Sequence, residues 1–120
     1  MTDKEKGDVL NALYGYKTFK KIVSKVAPEE RQIYLRTAEG GTECVEVEYL
    51  KKAVSVAEKT LEHFELCDET KGRFVRSFFF ERVGWIPLTM ELNISHGTVH
   101  YWRNEVLEIA YKIAVKYGLI

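Results

Sequence analysis

The stretch NISHGTVHYWRNE, residues 93–105, gathers the side chains best suited to chemistry. His96 and His100 are four residues apart and share one face of a helix, which is how two metal ligands are often presented. The same stretch carries Thr98, Tyr101, Arg103 and Asn104, whose hydrogen-bonding groups suit base edges and phosphates. A zinc site needs three or four ligands, and a metalloprotease helix needs a Glu directly after its first His. Here Gly97 follows His96, while His63, Cys44 and Cys67 lie in distant segments without ligand-like spacing. No P-loop, paired-carboxylate motif or nucleophile–base pairing appears elsewhere. The residues therefore predict no metal, no cofactor and no enzymatic activity, and they favour nucleic-acid recognition.

That reading requires elements that hold the segment out to solvent. Pro87 suits the first turn of a short helix over roughly 86–92, and Asn93-Ile94-Ser95 breaks it. Ser95 can cap a new helix beginning at His96, in which Val99, Trp102, Val106, Ile109 or Ala110, Ile113 and Tyr117 form a buried stripe. Short helix, three-residue turn and long helix make a helix-turn-helix plan. Leu88, Leu92 and Ile94 would face Val99 and Trp102, with Thr89 where the helices cross and Trp85 closing the edge. A preceding helix, capped by Asp68 to Thr70 and running to about Arg82, supplies the third member through Phe74, Val75, Phe78 and Phe79. The run Phe78 to Phe80 cannot lie on one face, so this helix must pack on more than one side.

Removing the buried positions leaves His96, Gly97, Thr98, His100, Tyr101, Arg103 and Asn104 for the major groove. Arg103, Asn104 and Arg76 are placed for phosphate, and Ser95 stands at a helix start, where free N–H groups attract anions. Histidines facing phosphate would gain charge on protonation, strengthening binding as pH falls.

Upstream, Val9, Leu13, Tyr16, Phe19, Ile22 or Val23, and Val26 predict one amphipathic helix over 8–26 with Asp8 as N-cap. Its polar face carries Lys17, Lys20, Lys21 and Lys25. Pro28, Glu29 and Glu30 predict a second helix ending near Gly40-Gly41, with 38–44 a flexible connection. Val47, Leu50, Val54, Ala57, Leu61 and Phe64 are spaced 3, 4, 3, 4, 3, a heptad seam on a helix over 45–64. That seam fits either the first helix, as an antiparallel pair, or a second copy, as a homodimer. A short alternation at 44–48 is the only strand-like pattern, and the seam assigns it to helix. The expected fold is all-α, with an N-terminal helical hairpin in region 1–66 and a three-helix helix-turn-helix domain in region 67–120.

Bulk properties agree with such a protein. The 120 residues carry 18 basic and 18 acidic side chains, so the net charge is zero. The distribution is polarised: 43–69 holds eight acids and three bases, whereas 71–120 holds seven bases and four acids. A basic DNA-facing patch is compatible with that balance. No signal peptide or membrane span is legible, and the two cysteines fit a reduced, cytoplasmic protein.

The pattern Trp85, Leu88, Leu92-Asn93-Ile94-Ser95, Val99, Trp102-Arg103-Asn104-Glu105 resembles the C-terminal end of RinA-type phage transcriptional regulators, relatives of the ArpU group. The resemblance is specific over about the last 50 residues and architectural before them. It implies a helix-turn-helix similar to the promoter-reading domain of bacterial sigma factors, in an activator of phage or prophage late genes. By position it makes His96, Gly97, Thr98, His100 and Tyr101 the base readers. This chain departs where cations are common, with His96 and Gly97 opening the helix, and at Pro87 and Thr89. Fewer cations imply reliance on a dimer or on RNA polymerase. Two other functions fit the same residues: a small terminase-like DNA-recognition subunit, and a polymerase-binding or anti-repressor interaction module that meets a basic partner through its acidic 43–69 segment.

Overall fold

The structure, a computed structural model, describes residues 1–120. It is mostly helical, with one small antiparallel sheet. In chain order the elements are α1 (Asp3–Tyr14), α2 (Tyr16–Lys25), β1 (Gln32–Arg36), β2 (Thr42–Glu46), α3 (Val47–Cys67), α4 (Glu69–Phe74), α5 (Trp85–Leu92) and α6 (His96–Lys116). A π-helical turn, Val75–Phe80, continues α4.

The helix expected over 8–26 is two helices, and it starts earlier. Thr2 Oγ1 accepts the Glu5 N–H at 3.2 Å while Glu5 Oε1 accepts the Thr2 N–H at 2.8 Å. This capping box moves the start well ahead of the apolar stripe and leaves Asp8 inside α1. The chain breaks at Gly15, where an added Cβ would lie 2.7 Å from both the Asn11 carbonyl oxygen and the Phe19 ring. Only glycine lets Phe19 close over the backbone there. The Arg82 guanidinium then donates to the Tyr14 carbonyl at 3.0 and 3.3 Å, tying the end of α1 to the segment before α5.

The all-α expectation fails at residues 28–46. In place of a helix and a flexible link there is a hairpin, with Gln32 paired to Glu46, Tyr34 to Cys44 and Arg36 to Thr42. Ile33 and Leu35 are half-buried while Gln32, Tyr34 and Arg36 are exposed, a period of two that a helix cannot satisfy. The glycines at 40–41 close the turn, with Gly40 at φ +87° and the Thr37 N–H bonded to the Gly41 carbonyl at 2.9 Å. The alternation at 44–48 belongs to β2 as far as Glu46, and α3 begins at Val47.

All six seam residues, Val47, Leu50, Val54, Ala57, Leu61 and Phe64, are buried within the chain. Helices α1, α2 and α6 cover α3. Of the two partners the seam fits, the homodimer through those residues is corrected: the stripe is consumed by packing within the chain and presents nothing to a second copy. Thr60, buried among them, donates its hydroxyl to the Val56 carbonyl at 2.7 Å. At the α2–α3 boundary Glu58 Oε2 accepts from Tyr16 Oη and from Lys20 Nζ, both at 2.9 Å.

Asp68 caps α4, accepting the Thr70 and Lys71 N–H groups at 2.9 and 3.4 Å. The π-turn disposes of the phenylalanine run by spreading its rings over an aromatic cluster with Phe74, Tyr14 and Tyr16. Phe78 stacks on Phe74 at 5.2 Å, Phe79 meets Tyr14 at 5.3 Å, and Phe80 lies 4.4 Å from Tyr16. One cluster of 17 buried apolar residues, from Val9 to Ala114, draws on both region 1–66 and region 67–120. No helix is long and apolar enough to cross a membrane.

Candidate nucleic-acid interface

The connection between α5 and α6 is built from three residues with separate tasks. Asn93 ends α5 in the left-handed conformation, φ +54° and ψ +50°, which asparagine tolerates better than other residues with a Cβ. Ile94 turns inward onto the core, and its N–H bonds to the Thr89 carbonyl at 3.1 Å. Ser95 is extended and caps α6, its Oγ accepting the Thr98 N–H at 3.1 Å. Pro87 sits in the first turn of α5. Here the local signals in the sequence and the observed boundaries coincide.

α6 is held in a fixed rotation by its inner face. Val99, Val106, Leu107, Ala110 and Ala114 are buried. Trp102 is half-buried, edge-on to Phe74 at 5.6 Å and 81°. Lys71 donates to both Glu105 carboxylate oxygens, at 3.0 and 3.1 Å, and its ammonium lies 5.8 Å from the Trp102 ring centre. This partly buried pair ties α6 to α4 beside the core.

With that face fixed, His96, Gly97, His100, Tyr101 and Asn104 fall on one exposed stripe over the first two and a half turns. No acid lies in the first turn of α6. His96 stacks on Trp85 with centroids 4.1 Å apart and planes 24° from parallel. His100 shares a 3.4 Å contact with the Asn104 amide. Tyr101 is 69% exposed and is the largest free side chain of the stripe. Over Gly97 an added Cβ would meet only Ser95 Oγ at 3.8 Å, so the backbone there is open to close approach.

The remaining expected contacts are placed differently. Thr98 is half-buried and its hydroxyl is shared with Ser95 Oγ at 2.9 Å, so both side chains serve the cap. Arg103 is half-buried at the border of the stripe and takes part in none of the ion pairs. Arg76 stands on the π-turn and its guanidinium is paired with Glu65 at 3.3 Å. The structure thus brings His96, Gly97, His100, Tyr101 and Asn104 together, with Arg103 adjoining, and gives Arg76 a partner of its own.

The histidine pair does not converge on a common point, because one ring is stacked on Trp85 and the other turned to Asn104. His63 lies on α3, 3.9 Å from Cys67 Sγ, and nowhere do three His, Cys, Asp or Glu side chains come together in a metal-binding arrangement.

Two features lie outside the sequence expectations. Trp85, expected to close the core edge, is 44% exposed and serves as a platform for His96; no periodicity links residues eleven apart across a turn. Ile86 and Met90, one turn apart on α5, are 58% and 79% exposed. Their i, i+4 spacing opposite Leu88 and Leu92 is the signal that could have shown an outward apolar face. Comparison with protein-family models, curated proteins and solved structures finds no match for the chain.

Proposed function

We propose that this chain is a sequence-specific DNA-binding transcriptional regulator, with α5 and α6 acting as a helix-turn-helix and the N-terminal half of α6 entering the major groove. The observation that carries the reading is the exposed stripe His96, Gly97, His100, Tyr101 and Asn104. It is rich in donors and acceptors, free of acids, and held at a fixed rotation by Lys71, Glu105 and Trp102. An α-helix fits the major groove, and readers of this kind place the first turns of the second helix against base edges. In this reading His96, Gly97, His100 and Tyr101 of the stripe are the base-reading surface, while Asn104 at its far end, Arg103 and the N–H groups beside Ser95 face phosphate. Arg76 contributes only by leaving Glu65. The likeness of residues 85–105 to RinA-type regulators supports activation of phage or prophage late genes as the setting.

The test is a footprint on promoter DNA over a range of salt. Arg103→Ala is expected to weaken binding to all sequences alike and to lower the salt slope by about one. Equal protection of random and promoter DNA at every salt concentration would remove the claim of specificity.

A second reading is favoured by Ile86 and Met90, which give α5 an apolar outer face unlike one that meets phosphate. In that reading α5 docks on a protein such as RNA polymerase. Binding to polymerase that Met90→Lys abolishes, with no DNA binding by the wild-type chain, would select it.

A further inference from the structure

We infer that the outer edge of β1 pairs with the same edge of a second copy, joining two hairpins into one four-stranded antiparallel sheet. Such pairing is independent of DNA binding, and it follows from the ladder. The Val47 N–H bonds to the Arg31 carbonyl and the Thr37 N–H to the Gly41 carbonyl, both at 2.9 Å. Bonded pairs alternate along an antiparallel ribbon, so Arg31, Ile33, Leu35 and Thr37 turn their backbone groups inward to β2. The N–H and C=O groups of Gln32, Tyr34 and Arg36 therefore point away from the hairpin, along a free edge.

That edge is short and carries one charge, Arg36, but has few of the other devices that keep strands from pairing. The register runs unbroken from Gln32 to Arg36, with no bulge, proline, glycine or lysine. Tyr34, at its centre, is 75% exposed. β2 meets α3, and one face of the hairpin, with Leu35 and Arg36 of β1 and Glu43 to Glu46 of β2, borders a groove walled by Asp8, Asn11, Phe19 and Tyr49; the outward backbone groups of β1 lie at the edge of the hairpin, away from β2. A two-stranded ribbon is marginal by itself; here α3 supports it from the β2 side, and further strands could extend it from the β1 edge.

The sequence of β1 is self-complementary in this register. A two-fold axis through Tyr34 sets Tyr34 against the second copy's Tyr34 and Gln32 against its Arg36. Every residue with outward backbone groups then faces another such residue, and each facing pair exchanges two N–H···O bonds. Arg36 meets a neutral amide rather than a like charge, and the tyrosines form a cross-strand aromatic pair. Self-pairing of β2 would instead gather Glu43 and Glu46 from both copies on one ribbon with no cation among them. The occupant that fits the β1 edge is another copy of this chain.

Sedimentation equilibrium of the full chain under reducing conditions tests the inference. The mass should rise with concentration from the 13.9 kDa of one chain toward twice that value. Tyr34→Pro removes one outward N–H and leaves the inward ladder intact, as edge strands allow, and should hold the mass at the monomer value. A covalent arm does not depend on the proline variant folding. In a Cys44→Ser, Cys67→Ser background, Tyr34→Cys should cross-link under mild oxidation, since facing Cα atoms about 5.5 Å apart suit a disulfide. Cys67→Ser alone, which keeps Cys44 at the centre of β2, should not. A chain that stays monomeric at all concentrations overturns the inference. So does a dimer that cross-links through Cys44 while the Tyr34→Cys variant fails to cross-link.

Discussion

α3 and α6 are both 21 residues long, yet the chain uses them in opposite ways. α3 buries nine residues along its whole length and is covered by α1, α2 and α6. α6 buries five, only one of which, Val99, lies in its first ten positions. Helix length and composition do not separate a helix buried along its length from one with an open end. What separates them is where the apolar residues stop, and in α6 they thin out at the end that Ser95 caps and Trp85 flanks. The capped end is therefore free to meet something outside the chain without loss of core.

The largest effect should fall on α3. Phe64→Ala empties a fully packed site and should cost about 3–5 kcal/mol in chemical denaturation. Tyr101→Ala, on the free stripe of α6, should change stability by no more than about 0.5 kcal/mol. Similar losses at both positions would break the contrast between the two helices.

Gly97→Ala sharpens it on the α6 side. Alanine meets no obstacle within the chain and should add up to about 1 kcal/mol of helix stability. The same methyl projects where a DNA backbone or base edge would come close, so affinity in a gel-shift titration should fall while the melting temperature rises. A variant with higher stability and unchanged affinity would remove Gly97 from the contact set.

The smallest effect concerns the polar side of α3. The hydrogen bond from Lys20, aided by that from Tyr16, holds the Glu58 carboxyl below its usual range, and burial only partly opposes this. A carboxyl depressed in the folded state stabilises the fold above its unfolded value of about 4.5, and that contribution is lost as pH falls through the lower folded value. Glu58→Gln should flatten this part of the acid-unfolding curve. Its cost at pH 7 should stay under about 1 kcal/mol, since the pair is half-exposed.

The contrast also governs what the sequence made legible. The α5–α6 boundary was readable because its signals are local: Pro87, Asn93 and Ser95 each set a backbone angle or satisfy an N–H within three residues. The α3 seam was readable as a stripe, but not its owner, since heptad spacing is the same for an internal partner and for another copy. The hairpin was hidden because Pro28, Glu29 and Glu30 favour a helix start, while the strand period occupies only five residues. Thr2 and Glu5 formed a capping signature in plain view, but the polar stretch after them concealed a helix. Contacts between distant residues, such as Trp85 on His96 and Lys71 on Glu105, leave no trace in spacing.

Under the proposed function the exposed stripe of α6 reads base sequence. This is tested most directly by selecting bound fragments from random DNA with the purified wild-type chain and with Tyr101→Ala. The wild type should yield a shared motif, and the variant the same motif with one or two positions relaxed. No enrichment by the wild-type chain at any salt concentration, or an identical motif from both proteins, would contradict it.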